Sequence, residues 1–323
     1  MEQGDVTERL RELPAGSVQC VVTSPPYWGL RDYGEAGQLG LEKTPEEWVE
    51  KMASVFREVR RVLRDDGTAW VNMGDSYANI SSGGGGAVDI RTDGRRTTPG
   101  DQVRGRQQGT NTMAPGLKPK DLCGMPWRLA FALQADGWYL RSDIIWAKPN
   151  PMPESCTDRP TKAHEYLFLL TKRAKYYYDA DAVRERGKPE RDGDNRGNGK
   201  AYDHRRTVDS GWSREYHANP YGRNLRTVWN IPTQAYPDAH FATFPEKLVE
   251  PCIKAGSMEG STVLDPFCGS GTVGVVACQQ GRDFIGIDLS ADYLAMAERR
   301  IGKSLRPNTF VDHAEAVAAP LFD

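Results

Sequence analysis

What the sequence lacks narrows its reading first. No apolar run approaches the roughly 20 residues that a membrane-spanning helix needs, so no membrane partner is expected. The opening stretch, MEQGDVTERL, is polar and has no basic-then-apolar layout of a secretory leader, which points to a cytoplasmic protein. The cysteines at 20, 123, 156, 252, 268 and 278 include no CxxC pair. That pattern argues against a zinc site or a disulfide frame and reads as reduced thiols. His164, His204, His217 and His240 show no ligand spacing, so no metal is expected. Charge of one sign is also missing: 42 Lys and Arg stand against 44 Asp and Glu, a formal net charge of −2. A uniformly basic nucleic-acid-coating surface is thereby excluded, although uneven local charge is not. There is no internal repeat.

What is present suits one large α/β domain with insertions, for which 323 residues are ample. Residues 18–22 (VQCVV) read as a buried strand. Residues 44–63 (TPEEWVEKMASVFREVRRVL) read as an amphipathic helix, with Trp48, Met52, Val55, Val59 and Val62 at helical spacing. Thr44 is its expected cap, Pro45 suits its first turn, and Glu47 completes a capping box. A strand over 68–74 follows, and strand–helix–strand order predicts parallel pairing. Further on, 125–137 reads as a helix, and WYLRSDIIWAKPN, EYLFLLTK and KYYYD as strands. The C-terminal part alternates helix 244–257, strand 261–267, helix 271–281, strand 282–289 and helix 291–301, the mark of a doubly wound sheet.

Two stretches break this regularity. Residues 80–120 are Gly-rich and aperiodic, with seven basic residues against three acidic, and read as a mobile loop. Residues 184–226 are again polar, with eleven basic and seven acidic residues and Trp212, Tyr216 and Tyr221 interleaved.

The stretch LDPFCGSGTVG (264–274) follows a strand and opens a helix. Gly269, Gly271 and Gly274 form a GxGxxG, and Asp288 ends the next strand, which together match a dinucleotide fingerprint. Charge argues against a nicotinamide dinucleotide: Asp265 stands where a pyrophosphate needs donors rather than a carboxylate. S-adenosylmethionine has no phosphate and carries an ammonium and a sulfonium. A carboxylate can attract both, the glycines let the backbone approach, and Asp288 can accept hydrogen bonds from ribose hydroxyls.

TSPPYW (23–28) ends the first strand in two residues that cannot donate a backbone hydrogen bond. The prolines stiffen the loop, and carbonyls without local N–H competitors can face a pocket. Such a pocket suits an exocyclic amine, with Ser24 and the Pro25 carbonyl as acceptors and Tyr27 as a flat face for a planar base. The amine of cytosine or adenine is a poor nucleophile because its lone pair is delocalised into the ring. Acceptors at Ser24 and Pro25 would polarise it for in-line attack on a sulfonium methyl, most of the rate coming from positioning and electrostatics. A base inside a duplex must be flipped out to reach such a loop.

Together TSPPY and DPFCGSGT resemble the amino-group DNA methyltransferases, which make N4-methylcytosine or N6-methyladenine. The catalytic loop precedes the cofactor loop by more than two hundred residues, a permuted order that resembles the β subgroup. The resemblance implies a Rossmann-like, mainly parallel seven-stranded-type sheet, with S-adenosylmethionine as cofactor and double-stranded DNA as substrate. Residues 1–183 would form the catalytic half with its 80–120 loop, 184–226 the target-recognition segment, and 227–323 the cofactor-binding half. Ser24, Pro25, Pro26 and Tyr27 would carry the transfer. The cofactor would meet Asp5, in a GDV stretch that resembles the motif before the catalytic strand, and Thr23. It would also meet Thr243, Phe244 and Pro245 in HFATFPEKLVE, then Asp265, Pro266, Phe267, Gly269, Ser270, Gly271, Thr272, Asp288 and Leu289. The strand expected before Gly4 is truncated in the sequence. Arg95, Arg96, Lys148, Arg205, Arg206 and Arg223 are the candidate DNA contacts. SPPY in this family leans toward cytosine N4, with adenine N6 the alternative. An RNA methyltransferase of the same fold and a catalytically silent DNA-binding protein are the more distant readings. A cognate restriction endonuclease and a second copy of the chain are the further candidate partners.

Overall fold

The computed structural model describes residues 1–30, 34–35, 37–78, 116–185, 222–234 and 244–305. Most of the 80–120 and 184–226 stretches lie outside the described residues.

The chain builds one sheet in the order β1-β8-β7-β2-β3-β5-β4-β6. Its strands are β1 (Glu2–Gln3), β2 (Val18–Thr23), β3 (Leu63–Met73), β4 (Tyr139–Ala147), β5 (His164–Thr171), β6 (Val228–Asn230), β7 (Thr262–Asp265) and β8 (Asp283–Asp288). All paired neighbours run parallel except at β5, which is antiparallel to both β3 and β4. The expected mainly parallel sheet is present, and the three-residue β6 extends it by an edge strand that the sequence pattern did not announce.

The central strands are covered on both faces, which is why they read as unbroken apolar runs. Val21, Ala69, Val71 and Met73 join one core with Leu10, Trp48, Met52, Phe56 and Leu129. These last come from α1 (Val6–Glu12), α2 (Pro45–Val62) and α3 (Met125–Ala135). Cys20, Val22 and Trp70 join the other core with Leu248, Ile253, Val273 and Val276, from α4 (Glu246–Gly256) and α5 (Thr272–Gln279). The last described helix, α6 (Ala291–Ser304), packs against α5.

Local signals mostly agree with the sequence. Thr44 Oγ1 accepts from Glu47 N (3.1 Å), capping α2. The Glu47 carboxylate reaches one residue further back than a capping box requires, accepting from Lys43 N (3.1 Å). KYYYD is not a strand. Its residues run across the sheet's end instead: Tyr177 N donates to Asp66 O (2.8 Å), Asp179 N donates to Ala255 O (2.9 Å), and Tyr178 stacks on Trp70. Three aromatic rings in a row supply strand propensity but no hydrogen-bonding edge, and tertiary contacts decide. The short α1 was not expected. Asp5 caps it, its Oδ1 accepting from Thr7 N (2.9 Å) and Glu8 N (3.1 Å). The strand before it is β1, pairing Glu2 and Gln3 with Ile287 and Asp288.

All six cysteines are free. No helix among the described residues is long and apolar enough to cross a membrane.

The C-terminal end of α4 seats directly on β2 and β3. A Cβ added at Gly256 would lie 2.4 Å from Thr68 Oγ1 and 3.0 Å from Cys20 Sγ. Gly256→Ala should therefore cost about 1–3 kcal/mol through overpacking, seen as a lowered urea midpoint with an unchanged m-value.

Candidate active site

Strands β2 and β7 are parallel neighbours, with Cys20 beside Val263 and Val21 beside Leu264. From β7 the chain winds outward through α5 to β8. From β2 it winds the other way through α2 to β3. The crevice beyond their C-terminal ends is the sheet's switch point, where open α/β sheets bind ligands. TSPPYW leaves β2 there and DPFCGSGT leaves β7 there. Thr23 Oγ1 donates to Asp265 Oδ1 (2.7 Å), joining the two loops through a buried hydrogen bond.

Two indole N–H groups hold the loop after β2, one donating to it and one donating from it. Trp48 Nε1 donates to Pro26 O (3.1 Å) and Trp28 Nε1 to Glu42 O (2.9 Å). Gly40, at φ +105°, comes so close that an added Cβ would meet Tyr27 O at 3.0 Å. Pro25 is buried, while Ser24, Pro26 and Tyr27 are partly exposed. The Tyr27 hydroxyl lies 3.3 Å from Ser24 Oγ, 3.0 Å from Glu165 Oε2 and 3.4 Å from Asn72 Oδ1. Burial and the nearby Glu165 carboxylate hold the Tyr27 phenol well above its ordinary range, so it stays a donor. Gly74 at the end of β3 is where this ring packs: a Cβ there would stand 2.9 Å from Tyr27 Cε2.

The loop after β7 turns on Asp265, whose Oδ1 also accepts from Phe267 N (3.1 Å). Pro266 is buried and Phe267 packs on the core. Gly269 N donates to Asp288 Oδ2 (2.8 Å), and Asp288 Oδ1 accepts from Ser290 N (2.9 Å), with Leu289 half-buried between. Gly271, at φ +78°, caps α5 against Ala297, where an added Cβ would be only 2.6 Å from the alanine Cβ. Ser270 and Thr272 turn toward α6: Arg300 Nη1 donates to Ser270 O (2.8 Å), Ser270 Oγ (2.9 Å) and Thr272 Oγ1 (3.2 Å). Arg300 Nη2 reaches Glu246 Oε1 (3.5 Å). This brings the start of α4, with Phe244 and the N-cap Pro245, beside the glycine loop.

Burial raises the carboxyls of both Asp265 and Asp288, Asp265 to about 7. Among the described residues no ion pair reaches either group. Two desolvated carboxyls, an open glycine turn and backbone N–H groups already committed to those carboxyls do not fit a pyrophosphate. They do fit a cationic ligand that also presents hydroxyl donors.

The structure brings together Asp5, Thr23, Ser24 to Tyr27, Phe244, Pro245, Asp265 to Thr272, Asp288 and Leu289 around the C-terminal edge of the sheet. Asp5 follows Gly4, whose N–H donates to Asp288 O (3.0 Å), though its carboxylate is occupied in capping α1. Lys148 lies in the wall of the site rather than on an open face, paired with Glu165 and over the Trp146 ring (4.3 Å). Arg223 is half-exposed and paired with Glu185 (2.7 Å), which also holds Arg226 (2.9 Å). Thr243, Arg95, Arg96, Arg205 and Arg206 lie outside the described residues. The sequence reading missed Glu165, Asn72 and Arg300. Asn72 carried a signal, a polar side chain within the apolar run AWVNM. Among the described residues no cluster of His, Cys, Asp and Glu could hold a metal.

A family model described as DNA methylase, of the N6/N4 type, matches residues 18–299. Type II methyltransferase M.Cfr9I of Citrobacter freundii is 49% identical over 300 residues, 93% of this chain and 86% of that protein. Type II methyltransferase M.SmaI of Serratia marcescens is 46% identical over 302 residues, covering 92% and 89%. Among solved structures, the cytosine-N4-specific PvuII DNA methyltransferase aligns with TM-score 0.61 at 19% identity, covering 95% and 86%. TTHA0409, a DNA modification methylase from Thermus thermophilus complexed with S-adenosyl-L-methionine, aligns with TM-score 0.57 at 23% identity, covering 94% and 93%. These structural likenesses establish the shared fold.

The raised Asp265 carboxyl sets a pH dependence. Its folded pKa exceeds the ordinary 3.8, so the unfolded chain ionises first as pH rises and the folded state loses stability between about pH 4 and 7. Asp265→Asn has no such loss. Between pH 5 and 8 the wild-type protein should lose on the order of 2–3 kcal/mol relative to that variant, measured by urea unfolding without ligand.

Proposed function

The chain belongs to the DNA methylase family of N6/N4 amino methyltransferases, and within it we propose that this protein methylates the exocyclic N4 of cytosine in a base flipped out of duplex DNA. The observation that carries the reading is the Thr23–Asp265 hydrogen bond (2.7 Å), which holds the amine-accepting loop against the cation-accepting loop. Ser24 in TSPPY supports cytosine over adenine: it is smaller than the aspartate of the related motif and neutral.

S-adenosylmethionine, when bound, supplies an electrophilic methyl on a positively charged sulfur. Asp265 and Asp288 would provide the negative field that favours this cation, with Asp288 accepting from ribose hydroxyls through its remaining lone pairs. Phe244 and Pro245, with Thr243 before them, would line the methionine end, and Asp5 would stand near the adenine. Ser24 and the Pro25 carbonyl would accept the amine hydrogens, draining electron density onto nitrogen, and Tyr27 would fix the ring's plane. The rigid, indole-stapled loop makes this arrangement before the base arrives, so little reorganisation is needed during transfer.

Recognition would fall to 184–226, with Arg205, Arg206 and Arg223 for phosphates and guanine edges and Arg95 and Arg96 from the 80–120 loop. The relatives named Type II methyltransferases support a place beside a cognate restriction endonuclease acting on the same DNA sequence.

Expression in a host without DNA methylation, followed by nucleoside mass spectrometry, should yield N4-methyldeoxycytidine. N6-methyldeoxyadenosine would keep the mechanism and overturn the cytosine assignment. Binding to a cation favours the ionised form of Asp265, whose carboxyl is raised to about 7, so affinity for S-adenosylmethionine should rise from pH 6 to about 8 and then level. Asp265→Asn should abolish that rise and lower affinity at least about tenfold, one to two kcal/mol being a modest share of a charge-assisted contact. Isothermal titration calorimetry measures both.

A further inference from the structure

Behind Tyr27 lies a carboxylate that the reaction as described does not use. Glu165 belongs to β5, and because β5 alone runs antiparallel, its first residues arrive at the edge where the other strands end. Its Oε2 faces the Tyr27 hydroxyl (3.0 Å) and its Oε1 pairs with Lys148. Both side chains of that pair are mostly buried, 18% exposed for Lys148 and 17% for Glu165. Lys162 contributes a second positive field from the segment before β5, and Asn72 of β3 faces the same phenol.

The polarity of this chain of groups follows from proton counting. Tyr27 has one hydroxyl proton and three acceptor oxygens in reach, a carboxylate at 3.0 Å, the Ser24 hydroxyl at 3.3 Å and an amide oxygen at 3.4 Å. Asn72 Nδ2 donates to Tyr166 O (3.1 Å), which turns its oxygen toward Tyr27 as an acceptor, but the nearer charged acceptor wins. With its proton committed to Glu165, the Tyr27 oxygen can only accept from Ser24, at 3.3 Å. The Ser24 proton then points away from the pocket, and its lone pairs face whatever enters.

We propose that Glu165, held in place by Lys148, is a positioning residue that acts through Tyr27 to commit the Ser24 hydroxyl to accepting a hydrogen bond, and that takes up the proton the substrate amine loses. The inference rests on Ser24 facing the target base. It selects bases by donor character: an exocyclic amine satisfies Ser24, whereas an exocyclic carbonyl oxygen would meet lone pairs. In the reaction the N–C bond forms as the methyl's bond to sulfur breaks, the electron pair staying on sulfur. The nitrogen, now carrying excess positive charge, releases one N–H proton to Ser24 Oγ. Ser24 passes its own proton to Tyr27, and Tyr27 passes its own to Glu165, which becomes neutral while Lys148 remains an ammonium. Every donor in the chain already points that way. The raised phenol of Tyr27 agrees with this, since the hydroxyl must hold its proton between turnovers.

The test is single-turnover methyl transfer, with enzyme in excess, from tritiated S-adenosylmethionine to genomic DNA of an unmethylated host, across pH 5.5 to 9. Glu165→Gln keeps an acceptor of the same shape but cannot take the proton. Its rate should fall roughly a hundredfold, the scale of a lost general base, with cofactor affinity within about twofold of wild type. Glu165→Asp should recover part of the rate. Because that variant leaves Lys148 unpaired, the double variant Glu165→Gln with Lys148→Met is measured beside it and should be equally slow. A Glu165→Gln rate equal to wild type at every pH overturns the proposal, as does recovery in the double variant or a loss of cofactor binding alongside the loss of rate. If the wild type binds S-adenosylmethionine and transfers nothing to DNA, the reading of Ser24 as the base contact falls, and this proposal with it.

Discussion

The hydrogen bond from Thr23 to Asp265 is the constraint around which the molecule is arranged. It joins residues 242 apart in sequence, one closing β2 and the other closing β7, and it does so in a fully buried setting. For it to form, the two strands must be neighbours, parallel and in register, so the β2–β7 pairing at the centre of the sheet is a precondition. An unmet hydroxyl or carboxyl at that depth would cost a few kcal/mol, which makes this contact a check on correct assembly as well as a link between two loops.

From that link the division of labour follows. On the β7 side, carboxyls are kept out of water with no ion pair to either among the described residues, an arrangement that suits a cation. On the β2 side, the chain is made rigid by prolines, by the Trp48 indole donating to Pro26 O and by the loop's own Trp28 donating to Glu42 O. A methyl donor and a methyl acceptor need little more than proximity, alignment and a route for one proton. The antiparallel β5 supplies a candidate for the third, because reversing one strand delivers the polar start of that strand to an edge otherwise made of strand ends.

Arg300 serves the same arrangement from outside. By donating to both Ser270 and Thr272 it fixes the turn into α5, and by reaching Glu246 it sets the start of α4 beside that turn. Two of the hydroxyls expected to face the cofactor are therefore directed at a guanidinium, and the glycine backbone rather than the side chains is what the loop presents. Lys148 shows a similar inversion. Its charge is met by Glu165 within the site wall.

Much of this was legible in the residues. Apolar runs bounded by turn signals marked the central strands, helical spacing marked α2, and Asp265 beside a glycine turn already excluded a pyrophosphate on charge alone. Those features are local, and local chemistry can be read from neighbours in sequence. The sequence did not reveal that KYYYD would refuse to be a strand, that Glu2 and Gln3 would suffice to hold Asp5, or that Glu165 would stand behind Tyr27. Each of these depends on partners far along the chain. A strand exists only if an edge is free to pair with it, and a carboxylate acquires a role only from the direction in which its strand runs. The sequence determined which chemistry the two loops could support, because that is written in short motifs. Only the tertiary structure decided that the loops meet, and which third group stands behind them, because strand order and strand direction are set by packing over the whole sheet.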